Sequence, residues 1–194
     1  MQTNPIIELG IWLESERKAG APNPNHAVLS STASDGAAHG RVVAVREISE
    51  EGILFFTQKA TRKVGELKSN PCVSLVFWLE LLQREVIIEG NVYRLNYEEN
   101  KKYWETYPQW AQIRFLSYAS TSMQVIDNKN TLEEKRQKLA DSFDGKSIPF
   151  SSEYCGFRVQ PQRFVFYAYR QDELSDVWEY GLKQNEWYLQ CLSP

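Results

Sequence analysis

Two adjacent cations, Arg62 and Lys63, stand where a helix is predicted to begin, within the segment KATRKVGELKSNP (59–71). Thr61 is a suitable N-cap for a helix over 61–70. The exposed backbone N–H groups make the first turn of a helix positive, so cations there are unfavourable unless an anion compensates them. Backbone N–H groups, a threonine hydroxyl and two cations are typical of a phosphate site. On their own, however, these residues are explained at least as well by a solvated helix start.

A third cation, Arg41, favours the phosphate interpretation. It lies near the start of a predicted strand (39–48), which a short turn joins to the next predicted strand, ILFFT (53–57). In an antiparallel pair the start of the first strand lies beside the end of the second, which places Arg41 near Thr57. Three cations from two segments then converge at the helix start. The alternative is an arginine at the end of a strand that pairs with an acid.

The composition excludes several other classes of function. The 194 residues, 42% of them hydrophobic, suit one domain over 1–194 with its own core. A net charge of −3 provides no basic field for nucleic acid. Three scattered cysteines and two histidines supply neither a disulfide framework nor a metal site. No stretch resembles a signal peptide or a membrane span, so we expect a cytoplasmic protein without membrane partners.

The order of the predicted elements indicates an α+β fold built on an antiparallel β-barrel, closed or split, with peripheral helices. Gly90 predicts a bulge within its strand. We expect helices at 5–19, 61–70, 96–107, 108–120 and 130–143. We expect strands at 27–33, 39–48, 53–57, 72–79, 84–95, 155–169, 176–182 and 186–192, of which the first three form an antiparallel meander.

The order of these motifs resembles the pyridoxamine 5′-phosphate oxidases. The segments that carry the resemblance are RVVAVRE (41–47), GILFFTQKATRKVGELKSNPCVSLVFW (52–78), REVIIEGNVYRL (84–95) and the tail EYCGFRVQPQRFVFYAY (153–169). The resemblance implies an FMN-binding split barrel with a C-terminal dimerisation region over about 150–194. It also implies a homodimer that binds each FMN between its two subunits.

The resemblance further implies which residues bind FMN. It assigns the flavin phosphate to Arg41, Arg62 and Lys63, the three cations singled out above. It assigns flavin-ring contacts to the backbone of Val42, Val43 and Ala44, and to Phe56 and Thr57, while Thr61 joins the phosphate site on the helix-start argument above. Other flavin contacts of the family are altered here: Glu85 replaces a glutamine, Ser120 followed by Thr121 replaces a second glutamine and its serine, and Tyr167 replaces a tryptophan. No residue is assigned a catalytic role, because the flavin carries the chemistry. In the family, a hydride passes from the amine- or alcohol-bearing carbon to flavin N5, and dioxygen reoxidises the flavin.

The sequence departs from the family pattern where the substrate is bound. The lysine, tyrosine, arginine and serine that hold the substrate phosphate correspond to Arg46, Tyr103, Tyr107 and Ala111. The R-x-H-D-R motif appears as ELSDV, with Glu173, Ser175 and Val177 at the altered positions and Asp176 retained. Losing one or two charge-assisted hydrogen bonds weakens a phosphorylated substrate by a factor on the order of 10–1000. A carboxylate at Glu85 would also disfavour a reduced, anionic flavin.

These departures leave more than one function open. We expect an FMN-dependent oxidoreductase similar to pyridoxamine/pyridoxine 5′-phosphate oxidase, whose small-molecule substrate is a B6 vitamer phosphate or an altered compound. The alternative is a non-catalytic FMN-binding protein that carries, senses or sequesters the flavin. A third hypothesis is a dimeric scaffold that binds no flavin.

Overall fold

The computed structural model describes residues 4–194. The helices in this range are α1 (Pro5–Lys18), α2 (Arg62–Ser69), α3 (Tyr97–Glu105), α4 (Gln109–Tyr118) and α5 (Asn130–Ser142), with a 3₁₀ turn at Ala119–Thr121. The strands are β1 (His26–Thr32), β2 (Ala38–Ser49), β3 (Gly52–Gln58), β4 (Cys72–Leu79), β5 (Arg84–Arg94), β6 (Tyr154–Ala168), β7 (Asp176–Lys183) and β8 (Glu186–Leu192). Every expected element is present, with ends that differ by at most two residues.

The eight strands form one sheet in the order β3-β2-β1-β4-β5-β6-β7-β8. A further pairing of β3 with β6 closes the first six strands of this order into a barrel, which the β7–β8 hairpin extends. The pairing of β1, β2 and β3 is antiparallel, as a meander requires. The predicted α+β split barrel with peripheral helices is therefore confirmed. Within residues 4–194, no helix is long and apolar enough to cross a membrane.

The chain divides into two compact units. The first comprises the residues up to Phe55 together with Glu66–Tyr93 and Phe157–Pro194. The second comprises Phe56–Gly65 and Arg94–Gly156. The expectation of a single domain over 1–194 stays a prediction.

In the first unit, helix α1 is fixed by an aromatic contact and by a buried acid. The ring of Trp12 meets Phe166 edge-on, with centroids 5.1 Å apart. Glu16 is buried, and its carboxylate accepts hydrogen bonds from the backbone N–H groups of Leu81 and Leu82 at 2.9 and 3.1 Å. A buried carboxylate needs such donors. Glu16 therefore ties α1 to the turn that joins β4 and β5.

Strand β2 alternates as its sequence predicts. Val43 and Val45 are buried, whereas Val42 and Ala44 on the opposite face are exposed. The pairing of β2 with β3 shifts register after Val45, so that Arg46 lies in a β-bulge. A bulge leaves its extra residue outside the regular ladder and redirects the side chain.

The sequence predicts a bulge at Gly90, and the structure shows none in the ladder of β5 with β4. The β4–β5 pairing runs through Gly90 without a register shift. A Cβ atom at Gly90 would instead lie 2.2 Å from the carbonyl oxygen of Gln160 in β6. The glycine is required because β6 approaches the backbone of β5 closely.

The second unit has an aromatic core. Trp104 and Tyr154 are both buried, with ring centroids 5.3 Å apart. Phe56 stacks on Tyr154 at 4.7 Å with an interplanar angle of 13°. The stack depends on Gly156, since a Cβ atom there would lie 2.5 Å from the Phe56 ring. Aromatic pairs of this kind stabilise a core by about 0.5–1.5 kcal/mol beyond the area they bury.

The close approach at Gly90 gives a stability prediction. Gly90→Ala is expected to lower the free energy of unfolding by about 3 kcal/mol, because the added methyl group meets a backbone atom that cannot rotate away. The corresponding fall in Tm is about 6–12 °C, measured by thermal unfolding. Gly10→Ala is the matched control, since no heavy atom lies within 4 Å of a Cβ placed at this position of α1. Equal Tm values for the two variants would contradict the close approach.

Candidate functional site

The start of α2 carries cations and buried hydroxyl groups. No acidic residue lies in the first turn of this helix. The Lys63 ammonium donates hydrogen bonds to the hydroxyl oxygens of Thr57 and Thr61, at N···O distances of 2.8 and 3.4 Å. Both threonines are buried, and the Thr61 hydroxyl donates to the carbonyl oxygen of Gln58 at 2.8 Å. Lys63 is therefore held against two hydroxyl groups at the positive end of a helix.

This donor set fits a phosphate group. A phosphate offers only acceptor oxygens, and the Lys63 ammonium and the adjacent Arg62 guanidinium are donors, while the hydroxyl oxygens of Thr57 and Thr61 accept from Lys63 and hold it in place. The backbone N–H groups at the N-terminus of α2 add further donors. Thr57, Thr61, Arg62 and Lys63 all belong to the second unit, so these four predicted residues fall in one part of the structure.

Arg41, in the first unit, has an acidic partner. Its Nη2 atom donates to Glu66 Oε2 at 2.9 Å, and its Nη1 atom donates to Ser31 Oγ at 2.5 Å. The carboxylate of Glu66 also bonds His39 Nδ1 at 2.6 Å through Oε1. The acid that the sequence analysis left open as a partner for Arg41 is therefore present, on the same helix as Arg62 and Lys63.

The hydrogen bonds to Glu66 determine its titration. Burial alone would raise the pKa of this carboxyl, but hydrogen bonds from Ser31, His39 and Arg41 and the positive charge of Arg41 lower its pKa to about 2. Glu66 is therefore ionised at any physiological pH. Because its acceptor is a carboxylate, His39 carries a proton on Nδ1.

The residues expected at the flavin ring in the first unit lie on three strands. Val42, Val43 and Ala44 belong to β2, and their side chains alternate between exposed and buried. Glu85 on β5 and Tyr167 on β6 are half-buried. No contact described for these residues assigns them to a flavin, so their role stays a prediction.

Glu85 and Tyr167 lie beside an aromatic pair. Tyr167 packs on Tyr169 with ring centroids 4.3 Å apart. Tyr169 in turn meets Trp78 edge-on at 5.5 Å, and Trp78 is the direct partner of Glu85 in the β4–β5 ladder. Burial and then the charge of Glu85 raise the pKa of the Tyr169 hydroxyl. Glu85 therefore contributes negative potential at this edge of the sheet.

In the second unit, the tyrosines expected at the substrate belong to the aromatic core. Tyr103 and Tyr107 are half-buried, and their ring centroids lie 5.1 and 6.4 Å from that of Phe56. Ala111 is half-buried in α4. Thr121 ends the 3₁₀ turn, and its hydroxyl donates to a carbonyl oxygen three residues earlier at 3.3 Å. The two tyrosines and Phe56 thus lie together in the aromatic core, and their roles toward the flavin and the substrate stay predictions.

The segment ELSDV is organised by an arginine that precedes it. Arg170 donates to Asp176 Oδ2 at 2.8 and 3.1 Å and lies 3.5 Å from Glu173. The backbone N–H of Arg170 donates to Ser175 Oγ at 3.2 Å. Hydrogen bonding to Asp176 raises the pKa of Arg170. Val177 is buried, and its hydrocarbon side chain offers no polar group.

Sequence reasoning missed both Glu66 and Arg170. Glu66 stands three residues after Lys63 on one helix, a spacing that suggests an exposed ion pair on that helix. Its actual partners come from β1 and β2, and no local spacing reports contacts between distant strands and helices. Arg170 lies in a loop. A loop lacks the regular period of a helix or a strand, so the spacing of charged residues along the sequence does not predict which of them pair.

Two family models match the chain. Residues 13–135 match the model described as pyridoxamine 5′-phosphate oxidase, and residues 154–194 match the pyridoxine 5′-phosphate oxidase C-terminal dimerisation region. The chain belongs to the pyridoxamine 5′-phosphate oxidase family. FMN is the cofactor of this family member.

Curated relatives of this oxidase-family chain match it along its whole length. A pyridoxine/pyridoxamine 5′-phosphate oxidase of Acaryochloris marina is 32% identical over 194 residues, which is all of this chain and 88% of the relative. The enzyme of the same name from Rubrobacter xylanophilus is 31% identical and covers 98% of this chain and 87% of its own length.

Solved structures also match this chain over almost its whole length. PhzG from Burkholderia lata, in complex with tetrahydrophenazine-1-carboxylic acid, has a TM-score of 0.87 at 25% identity and covers 98% of this chain and 93% of its own. An FMN-binding protein of Nostoc punctiforme related to pyridoxamine 5′-phosphate oxidase has a TM-score of 0.80 over the whole of both chains. Its identity is 14%, so it supports the fold alone.

The cation pair at the start of α2 gives a prediction about FMN. Arg62→Ala combined with Lys63→Ala is expected to yield mostly colourless protein, because the flavin phosphate loses two charge-assisted partners. The ratio of flavin to protein absorbance, and the FMN released on denaturation, measure the occupancy. Lys101→Ala with Lys102→Ala, a second adjacent pair that is exposed on α3, is the control. Full occupancy in the first double variant would exclude this phosphate site.

Glu66 gives a pH prediction. Its pKa is lowered from 4.5 to about 2, so its ionised form stabilises the fold above pH 4.5, and this contribution is lost as the pH falls towards 2. The lost free energy amounts to about 3 kcal/mol. The free energy of unfolding of Glu66→Gln, measured with urea, should therefore fall less steeply across this pH range than that of the wild type. Glu105→Gln, at an exposed carboxylate, should leave the wild-type slope. An unchanged slope in Glu66→Gln is the contrary result.

Proposed function

We propose that this chain is an FMN-dependent oxidoreductase that oxidises a small amine or alcohol. The observation that carries the proposal is the contact of Lys63 with Thr57 and Thr61 at the start of α2, in a chain whose family uses FMN. When bound, FMN supplies the acceptor for hydride at N5 and is reoxidised by dioxygen. The protein binds and orients the flavin and the substrate.

In this proposal the chain's own residues divide into two groups. Arg41, Arg62 and Lys63 bind the flavin phosphate, and Thr57 and Thr61 add hydroxyl contacts. The residues proposed to lie along the ring are Val42, Val43, Ala44, Phe56, Glu85, Thr121 and Tyr167. Phe56 is supported by its stack on Tyr154, which holds its ring and the adjacent backbone in place.

We further propose a homodimer that completes the flavin site. The match of residues 154–194 to a dimerisation region supports this, since it includes β6, β7 and β8. The outer face of the β1–β2 pair also supports it. Val28 and Val42 are directly paired there and are 41% and 63% exposed. Adjacent exposed valines are suited to a contact with a second subunit.

The substrate is proposed to differ from a simple B6 phosphate ester. The loop that should receive it presents Glu173 and Asp176, and both acids are engaged by Arg170. A phosphate would have to displace carboxylates from the only arginine of the 170–177 segment. The resemblance to PhzG, whose structure contains a tetrahydrophenazine carboxylic acid, supports the inclusion of partly reduced ring carboxylic acids among the compounds tested.

Anaerobic mixing tests the proposal. Purified yellow protein is mixed without oxygen with pyridoxine 5′-phosphate, pyridoxamine 5′-phosphate, tetrahydrophenazine-1-carboxylic acid and a panel of other amines and alcohols. Bleaching of the visible flavin band by any compound supports an oxidoreductase and names its substrate class. No bleaching by any of them favours the second candidate, a non-catalytic FMN-binding protein. The replaced R-x-H-D-R motif is the observation that supports this candidate.

The acid at 173 gives a specificity prediction. Glu173→Arg restores the cation of the family motif and should tighten the binding of pyridoxamine 5′-phosphate by about tenfold, through a new charge-assisted hydrogen bond. Asp172→Arg makes the same change in net charge at the neighbouring exposed position and serves as the control. Titration of the flavin spectrum with the ligand gives both affinities. The same gain in both variants would show that net charge, and not position 173, is responsible.

A further inference from the structure

A buried carboxylate anchors Arg41 in the first unit. Glu66 is 6% exposed, and its Oε2 atom accepts hydrogen bonds from Ser31 Oγ at 2.6 Å and from Arg41 Nη2 at 2.9 Å. Its Oε1 atom accepts from His39 Nδ1 at 2.6 Å. The carboxylate therefore has partners on both oxygens, from two strands of the barrel.

The same contacts restrict the guanidinium group of Arg41. Nη1 donates to Ser31 Oγ at 2.5 Å and to the carbonyl oxygen of Leu29 at 3.3 Å, while Nη2 donates to Glu66. A guanidinium has five N–H donors in one plane. Three of them are used in these bonds, which fix the plane of the group and leave two donors for a ligand.

We propose that Glu66 is a positioning residue for the flavin phosphate, acting through Arg41. The proposal rests on the proposed function, in which Arg41 binds this phosphate. A free arginine side chain loses rotamer freedom when it binds an anion, and one already held in a single orientation does not. The Glu66 carboxylate is ion-paired with the Arg41 guanidinium at 2.9 Å, which offsets its repulsion of a phosphate.

A positioning role predicts different effects on the binding of FMN and of riboflavin, whereas a purely structural role predicts the same effect on both. Riboflavin has the ring system of FMN without the phosphate. Loss of the anchor should therefore weaken FMN and leave riboflavin unchanged, whereas general damage to the fold should weaken both. The ratio of the two affinities is the quantity that reports on Arg41.

The experiment displaces bound FMN from the purified holoprotein with riboflavin and follows flavin fluorescence. Glu66→Gln is expected to shift the affinity ratio about tenfold in favour of riboflavin. In an Arg41→Ala background, Glu66→Gln should cause no additional shift, because the guanidinium that Glu66 orients is then absent.

Glu89→Gln is the control, since Glu89 pairs with Arg163 elsewhere in the first unit. Ser31→Ala, which keeps the charge of Glu66, should shift the ratio in the same direction and decides the matter if Glu66→Gln does not fold.

The outcomes separate this inference from the proposed function. If Arg41→Ala shifts the ratio but Glu66→Gln and Ser31→Ala do not, the positioning role is wrong and the phosphate assignment stands. If Glu66→Gln tightens FMN, Glu66 competes with the phosphate for Arg41, and the positioning role is again wrong. If Arg41→Ala itself leaves the ratio unchanged, the assignment of Arg41 to the flavin phosphate fails.

Discussion

The placement of positive charge at the start of α2 is the constraint on which the site depends. A helix start already presents partial positive charge, and this sequence adds Arg62 and Lys63 to it without an acid in the first turn. The fold meets part of this cost by directing the Lys63 ammonium to two buried hydroxyl groups. Two cations together with the backbone N–H groups of a helix start form a donor set that favours a bound anion. The phosphate of FMN, the family's cofactor, is such an anion.

The residues proposed for the flavin phosphate lie on β2, on β3 and at the start of α2. Glu173 and Ser175 lie in the loop before β7, whereas Val177 is buried within that strand. Arg170 compensates the new acid within the loop itself. The residues proposed for the flavin are therefore tied to the barrel and to α2, whereas Glu173 and Ser175, proposed at the substrate, lie in a loop that tolerates replacement.

The sequence predicted most of the fold because its elements are locally encoded. The alternation of Val42 to Val45, the cap-like Thr61 and the short turns of the first three strands each lie within a few residues. Features that depend on contacts between residues far apart in the sequence were not predicted. Gly90 was assigned to a bulge, although its need arises from β6, some seventy residues later in the chain. Glu66 was missed because its partners lie on β1 and β2. In both cases the decisive neighbour is set by tertiary packing, which no window of sequence contains.

The bulge in β2 has a consequence for how such a protein can diversify. In a regular strand, each residue is committed to one face, so a change of size or charge on the inner face disturbs the core. Arg46 stands at the register shift and is exposed, so its side chain is released from that alternation. Arg46 is also one of the residues that we propose to bind the substrate. An exchange of the residue at this bulge should therefore cost little stability, while Val43 and Val45 remain in the core.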